Sequence, residues 1–183
     1  MERPRIGPWR PIHENERYSV YRVEADFGGF SKVYYPSDHK PRVGLVVPRP
    51  GGGTERAVMM VSQYRLLIDG PSLELPGGKV DEGETPEQAA LRECREETGL
   101  VCRRVERLVH YLPGMDNLLN HTDIFVALDV EDSGGFAADA GEVVERRWVP
   151  LDEALGLAES GGIHCGMTIM GLLSYARWLE TKR

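Results

Sequence analysis

No run of apolar residues in this chain approaches the length needed to cross a bilayer. The N-terminus, MERPRIGPWRPIHENER, lacks the apolar stretch of a secretory leader, so a cytoplasmic location without a membrane partner is expected. Cysteine is scarce: Cys94, Cys102 and Cys165 are odd in number and lack metal-ligand spacing. A disulfide framework and a zinc site are therefore excluded. Cys94 and Cys102 sit among apolar neighbours and read as buried free thiols rather than nucleophiles, which suits a reducing compartment. Positive charge is also in short supply, with 22 Lys and Arg against 29 Asp and Glu, a net charge of -7. That balance argues against a nucleic-acid-binding surface. An anionic substrate must then be met by local positive charge or by a metal ion. Repeats and low-complexity tracts are absent.

What the chain does have is 183 residues, 41% of them hydrophobic, enough for one domain with a small appendage and a substantial core. The most informative stretch is 78–100, GKVDEGETPEQAALRECREETGL. Thr85 is a good N-cap, Pro86 fits the first helical position and Gln88 completes a capping box. The spacing predicts a helix that stops at Gly99 in a left-handed conformation. Ala90, Leu91 and Cys94 fall on one side and face the core. Glu93 and Glu97 are neighbours on another face, where like charges cost an isolated helix about 0.2–0.5 kcal/mol. Glu96 adds a third carboxylate. One reading is a solvated helix whose acids are offset by Arg92 and Arg95. The other takes account of the preceding Glu74-Leu75-Pro76-Gly77-Gly78, where a strand ends in glycines that permit close backbone approach. Carboxylates facing a glycine-exposed carbonyl make a hard-oxygen site suited to Mg²⁺ or Mn²⁺.

Elsewhere, residues 1–16 read as an extended arm. Tyr18 to Phe27 and Phe30 to Tyr35 read as a hairpin about Gly28-Gly29. Strands are expected at 42–48, 57–65, 73–75, 105–111, 123–130 and 143–149. The Gly51-Gly52-Gly53 triplet lacks the lysine and helix of a phosphate loop and reads as a hairpin turn. Asp152 is the expected cap of a helix ending near Ser160. A last helix over 167–180 carries an apolar face of Ile169, Leu172, Leu173, Ala176 and Trp178. Strands interleaved with one central and two late helices imply an α/β layered fold.

The 78–100 run resembles the Nudix box, the signature of hydrolases that cleave a diphosphate linked to another moiety. Cys94 departs from it, standing where the family usually has a larger aliphatic residue. The resemblance implies an α/β/α sandwich with a mixed sheet, here residues 42–183. The N-terminal arm and β-hairpin, 1–41, stand apart as a dimerisation region. Val61-Ser62-Gln63-Tyr64-Arg65 ahead of Glu74-Leu75-Pro76, Pro113 after the box, and Trp148-Val149-Pro150-Leu151 with Gly162-Ile163 and Thr168-Ile169 are similar to the ADP-ribose and ADP-sugar pyrophosphatase subgroup. Leu112 stands where that subgroup often has Ser, and the loop to His121 is longer.

The resemblance assigns roles residue by residue. Glu93 and Glu97 become the principal metal ligands, Glu96 binds a shared ion or its water, and the Gly77 carbonyl completes a Mg²⁺ or Mn²⁺ site. Arg92 orients the carboxylates and Glu84 fixes the loop before the helix. Gln63, Arg65, Pro113 and Gly114 meet the substrate, a nucleotide sugar; Arg65 is otherwise a surface arginine at a strand end. The general base is Glu142, with Glu145 second. A homodimer is implied in which Trp9 either reaches the partner's site or packs locally. His121 is a substrate contact or a satisfied loop residue. The implied activity is hydrolysis of ADP-ribose to AMP and ribose 5-phosphate. The alternatives are another linked nucleotide, such as GDP-mannose or a dinucleotide, or a sensing domain without turnover.

Overall fold

The computed structural model describes residues 2–51, 56–132 and 145–182. In chain order the strands are β1 (Arg5–Ile6), β2 (Arg10–Glu14), β3 (Ser19–Asp26), β4 (Ser31–Tyr34), β5 (Ser37–Asp38), β6 (Arg42–Val46), β7 (Ala57–Arg65), β8 (Gly70–Glu74), β9 (Gly77–Lys79), β10 (Leu100–Tyr111), β11 (Leu118–Leu119), β12 (Thr122–Asp132) and β13 (Glu145–Pro150). The helices are α1 (Pro86–Thr98), α2 (Leu151–Glu159) and α3 (Gly166–Thr181). The chain divides into two compact units, one of residues 1–41 with 112–121 and one of residues 42–111 with 122–183.

The first unit is built around β3, which pairs antiparallel with β1, β2, β4 and β5. β3 and β4 form the expected hairpin, with Asp26 opposite Ser31 and the Phe27 and Phe30 rings stacked at 4.8 Å across the turn. The segment read as an extended arm supplies two strands, β1 and β2, which pair with β3. Residues 112–121, a loop in the sequence reading, supply β11, which pairs parallel with β5.

The second unit carries two sheets. One has the order β10-β12-β6-β9, mixed because β12 and β6 run parallel; the other is antiparallel, in the order β13-β7-β8. Alternation along the strands splits the core in two. Val43, Leu45, Val47, Met59 and Phe125 pack with Ala89, Ala90 and Cys94 of α1. Val46, Val58, Met60, Ile124 and Val126 pack with Ala154, Leu172 and Tyr175 of α2 and α3. This is the α/β/α layering expected of the fold.

The structure corrects some local expectations. β10 begins at Leu100, directly after the helix stop, rather than at Val105. Asp152 does not cap α2: Pro150 holds the cap position, and Asp152 lies in the first turn, where its charge complements the helix dipole. Leu173 is 46% exposed, and Thr168, Gly171, Leu172 and Tyr175 form the buried stripe of α3. The Thr168 hydroxyl accepts from the Leu75 N–H at 3.0 Å, which turns that face inward. Glu142, Val143, Gly52 and Gly53 lie outside the described residues. No helix among the described residues is long and apolar enough to cross a membrane.

Candidate active site

α1 starts and stops where its sequence dictates. The Gln88 N–H donates to the Thr85 hydroxyl at 3.2 Å and the Thr85 N–H donates back to the Gln88 side chain at 2.9 Å, closing the capping box. Gly99, at φ 69°, ends the helix in the left-handed region. The Ala89, Ala90 and Cys94 side chains then face the sheet and fix the helix rotation. Burial pushes the Cys94 thiol up to about 11, so it stays protonated and inert at neutral pH.

With that rotation set, Glu93 and Glu97 lie over the β9 backbone. A Cβ on Gly78 would run into the Glu93 carboxylate, and one on Gly77 would run into the Val43 carbonyl of β6. The glycine pair therefore lets carboxylate and strand approach more closely than any side chain would permit. Glu97 is 8% exposed. Its Oε1 accepts from Gln63 Nε2 at 2.6 Å and its Oε2 from the Gly77 N–H at 2.7 Å. Its pKa is raised to about 7, chiefly by burial, with the Glu93 charge adding to the rise and those two hydrogen bonds opposing it. Burial also raises Glu93, although the Arg92 guanidinium opposes the shift.

Arg92 organises the other acids. Its Nε and Nη2 donate to the two Glu84 oxygens at 3.1 and 3.0 Å, and Nη1 donates to Glu93 at 2.8 Å and Glu96 at 2.9 Å. Nη2 also donates to the Lys79 carbonyl at 2.9 Å. The guanidinium thus ties the loop before α1 to β9 and to the middle of α1. It holds Glu84 below the usual carboxylate range.

Gln63 and Arg65 share a face of β7, since alternate residues of a strand point the same way. Arg65 makes a bidentate pair with Glu74 of β8, Nε to Oε1 at 2.7 Å and Nη2 to Oε2 at 2.6 Å. The sequence reading missed Glu74 as this partner; its position beside Leu75-Pro76 was the available signal. Glu145 is opposite Ser62 in β13 and β7, so it points to the face of β7 away from Gln63. Pro113, Gly114, His121 and Trp9 belong to the first unit, where the Gly114 carbonyl accepts from the Leu118 N–H at 2.9 Å.

A divalent ion fits this chemistry. Among the described residues no group of three acidic, His or Cys side chains closes into a metal cage. Glu96, turned to Arg92, is 57% exposed. The buried Glu97 and the half-buried Glu93 carry the fit: the Glu93 charge raises the proton affinity of Glu97, and both carboxylates lie beside the Gly77-Gly78 backbone. Such an all-oxygen set suits an ion that completes its shell with water and phosphate oxygens.

Comparison with known proteins agrees with this geometry. The family model described as the NUDIX domain matches residues 38–164. The chain is 33% identical over 167 residues to a CMP-5'-(N-acetyl-N-hydroxy-3-aminopropyl)phosphonate hydrolase of Streptomyces rubellomurinus, across 90% of this chain and 78% of that protein. It is 33% identical over 116 residues to an ADP-ribose pyrophosphatase of Bacillus subtilis, across 62% of each. A crystal structure of an ADP compounds hydrolase shares the fold with a TM-score of 0.81 at 19% identity, covering 100% of this chain and 97% of that one. The box on α1, the layers that position it and these matches together make the chain a member of the Nudix family, a hydrolase of the diphosphatase type.

Proposed function

We propose that this hydrolase cleaves the diphosphate of a nucleoside diphosphate sugar, with ADP-ribose giving AMP and ribose 5-phosphate, and that it needs Mg²⁺ or Mn²⁺. The observation that carries the reading is the pairing of the half-buried Glu93 and the buried Glu97 over Gly77-Gly78. The name of the Bacillus subtilis relative supports the substrate.

Glu93 and Glu97 hold the ion, with Glu96 and the Gly77 carbonyl as further donors. A divalent ion bound there neutralises phosphate oxygens and makes a bound water more acidic. Arg65 meets the diphosphate. Glu74 occupies its Nε and Nη2, which leaves Nη1 for a phosphate oxygen. Arg92 holds the site in shape rather than touching substrate. Glu142 takes the proton of the attacking water. Pro113 and Gly114 help choose the base or sugar. The protein works as a homodimer through residues 1–35, and their removal is expected to give a monomer with weakened substrate affinity.

A second reading is favoured by the extent of the Streptomyces match, which reaches 90% of this chain: an anhydride joining CMP to a phosphonate. Both readings share the bond that breaks, a P–O–P link on a nucleoside 5'-phosphate. A panel of ADP-ribose, other nucleoside diphosphate sugars, a CMP-linked phosphonate and nucleoside triphosphates, with products separated by chromatography, distinguishes them. ADP-ribose is expected to be cleaved fastest; rapid triphosphate hydrolysis with every linked nucleotide untouched would overturn both.

A further inference from the structure

Gln63 lies 34 residues before Glu97 in sequence, on a strand of the other sheet, yet its amide donates to Glu97 Oε1 at 2.6 Å in a buried contact. It is 9% exposed. The second Glu97 oxygen accepts from the Gly77 N–H at 2.7 Å. Two donors, one on each oxygen, fix both the position and the plane of the carboxylate. One comes from a strand backbone that a substitution cannot remove; the other comes from a side chain. Both are neutral, so they hold the carboxylate without neutralising it. Glu84 is different, because Arg92 both holds and neutralises it.

We infer that Gln63 is a positioning residue that clamps Glu97 for a divalent ion, rather than a residue that touches the substrate. The inference rests on the assignment of Glu97 as a metal ligand. Several features of Gln63 agree. Its donor is committed to Glu97, its side chain is almost wholly covered, and its neighbour on the same face, Arg65, is the group left exposed. β7 thus divides the work between alternate residues: Gln63 reaches inward to the acid on α1, and Arg65 presents a cation outward. Partners that orient metal ligands typically matter about 10–100-fold in metal affinity when removed. A Mg²⁺-like ion demands near-octahedral placement of its oxygen donors, so the plane of the Glu97 carboxylate matters for the bound state.

The test is Mn²⁺ binding to the metal-free full-length protein, followed by electron paramagnetic resonance. Gln63→Met keeps the length of the side chain and removes the donor. Mn²⁺ affinity is expected to fall about 10–100-fold, with the KM for substrate at saturating metal nearly unchanged. In a Glu97→Gln background the same substitution should weaken Mn²⁺ binding no further, because there is no carboxylate left to orient. A purely structural role would lower affinity equally in both backgrounds. If Gln63→Met folds poorly, Gln63→Asn, which shortens the reach to Glu97, serves in the same cycle. A raised KM with unchanged Mn²⁺ affinity would overturn the inference and return Gln63 to the substrate. If wild-type protein binds Mn²⁺ but cleaves no linked nucleotide, the proposed substrate fails while the clamp stands. If Mn²⁺ does not bind the wild type, the metal site itself fails.

Discussion

The two ends of the acidic network on α1 differ in how their charge is met. At one end Glu84 receives both oxygens' hydrogen bonds from the Arg92 guanidinium, and its pKa falls. At the other, Glu97 also receives a bond on each oxygen, but from the neutral Gln63 amide and Gly77 N–H, and its pKa rises to about 7. Burial is the largest cause of that rise, and the neighbouring Glu93 charge adds to it. A carboxylate that is geometrically satisfied but electrostatically unpaired is unfavourable in a scaffold and useful in a site. Glu84 thus meets a cation of the protein's own, whereas Glu97 meets none, and under the proposed function that open charge is what a metal ion would meet.

The largest way to break this comparison is at Glu97. Glu97→Gln should reduce turnover by about 1,000-fold or more, since under the proposed function it would remove a direct ligand of the ion that would supply much of the chemistry. The fold should survive, with thermal stability of the metal-free protein at pH 7.5 equal to or above wild type. Steady-state kinetics and thermal unfolding check both halves.

Arg92 tests the other end. Arg92→Ala removes bonds to Glu84, Glu93, Glu96 and the Lys79 carbonyl. We expect a loss of about 2–4 kcal/mol in urea unfolding, because partly buried acids are left unpaired. Arg92→Lys should recover only part of it, since one ammonium cannot serve both forks.

pH separates the two ends without mutation. Glu97 binds its proton more tightly folded than unfolded, so between about pH 4.5 and 7 the folded protein holds the extra proton. Its contribution to metal-free stability is therefore present on the acid side and lost as pH rises through about 7. Glu84 acts oppositely: its folded pKa is depressed, so its contribution is present above the unfolded value and lost as pH falls. Mg²⁺ should raise the melting temperature more at pH 7.5 than at pH 5, because at pH 5 it competes with protons for Glu97. Equal increments at both pH values would count against the assignment. The smallest effect belongs to the cap: Thr85→Ala should cost about 1 kcal/mol in stability with kcat nearly unchanged, as measured by urea unfolding and kinetics.

Local signals made α1 legible in advance. The capping box at Thr85 and Gln88, the Pro86 start and the Gly99 stop depend only on near neighbours, and the rotation follows from Ala90 and Cys94. The relation of Glu93 to Glu97 follows from helical geometry alone. What stayed hidden depends on distant segments. The Gln63 contact with Glu97 stayed hidden because nothing local reveals that α1 places Glu97 against β7. The Arg65 and Glu74 pair depends on the register of β7 and β8. The Asp152 cap failed because Pro150 already ends the strand and starts the helix. Leu173 turned outward because Thr168 is anchored to the Leu75 backbone. Residues 112–121 looked like an ordinary loop because their pairing partner, β5, lies far back in the chain.

The most direct measurement is Mn²⁺ titration of the metal-free protein at pH 6.5 with proton release recorded at the same time, on wild type, Glu84→Gln and Glu97→Gln. The account predicts binding with release of protons in wild type and in Glu84→Gln, and much weaker binding without that proton release in Glu97→Gln. Wild-type affinity and proton release in Glu97→Gln would contradict it.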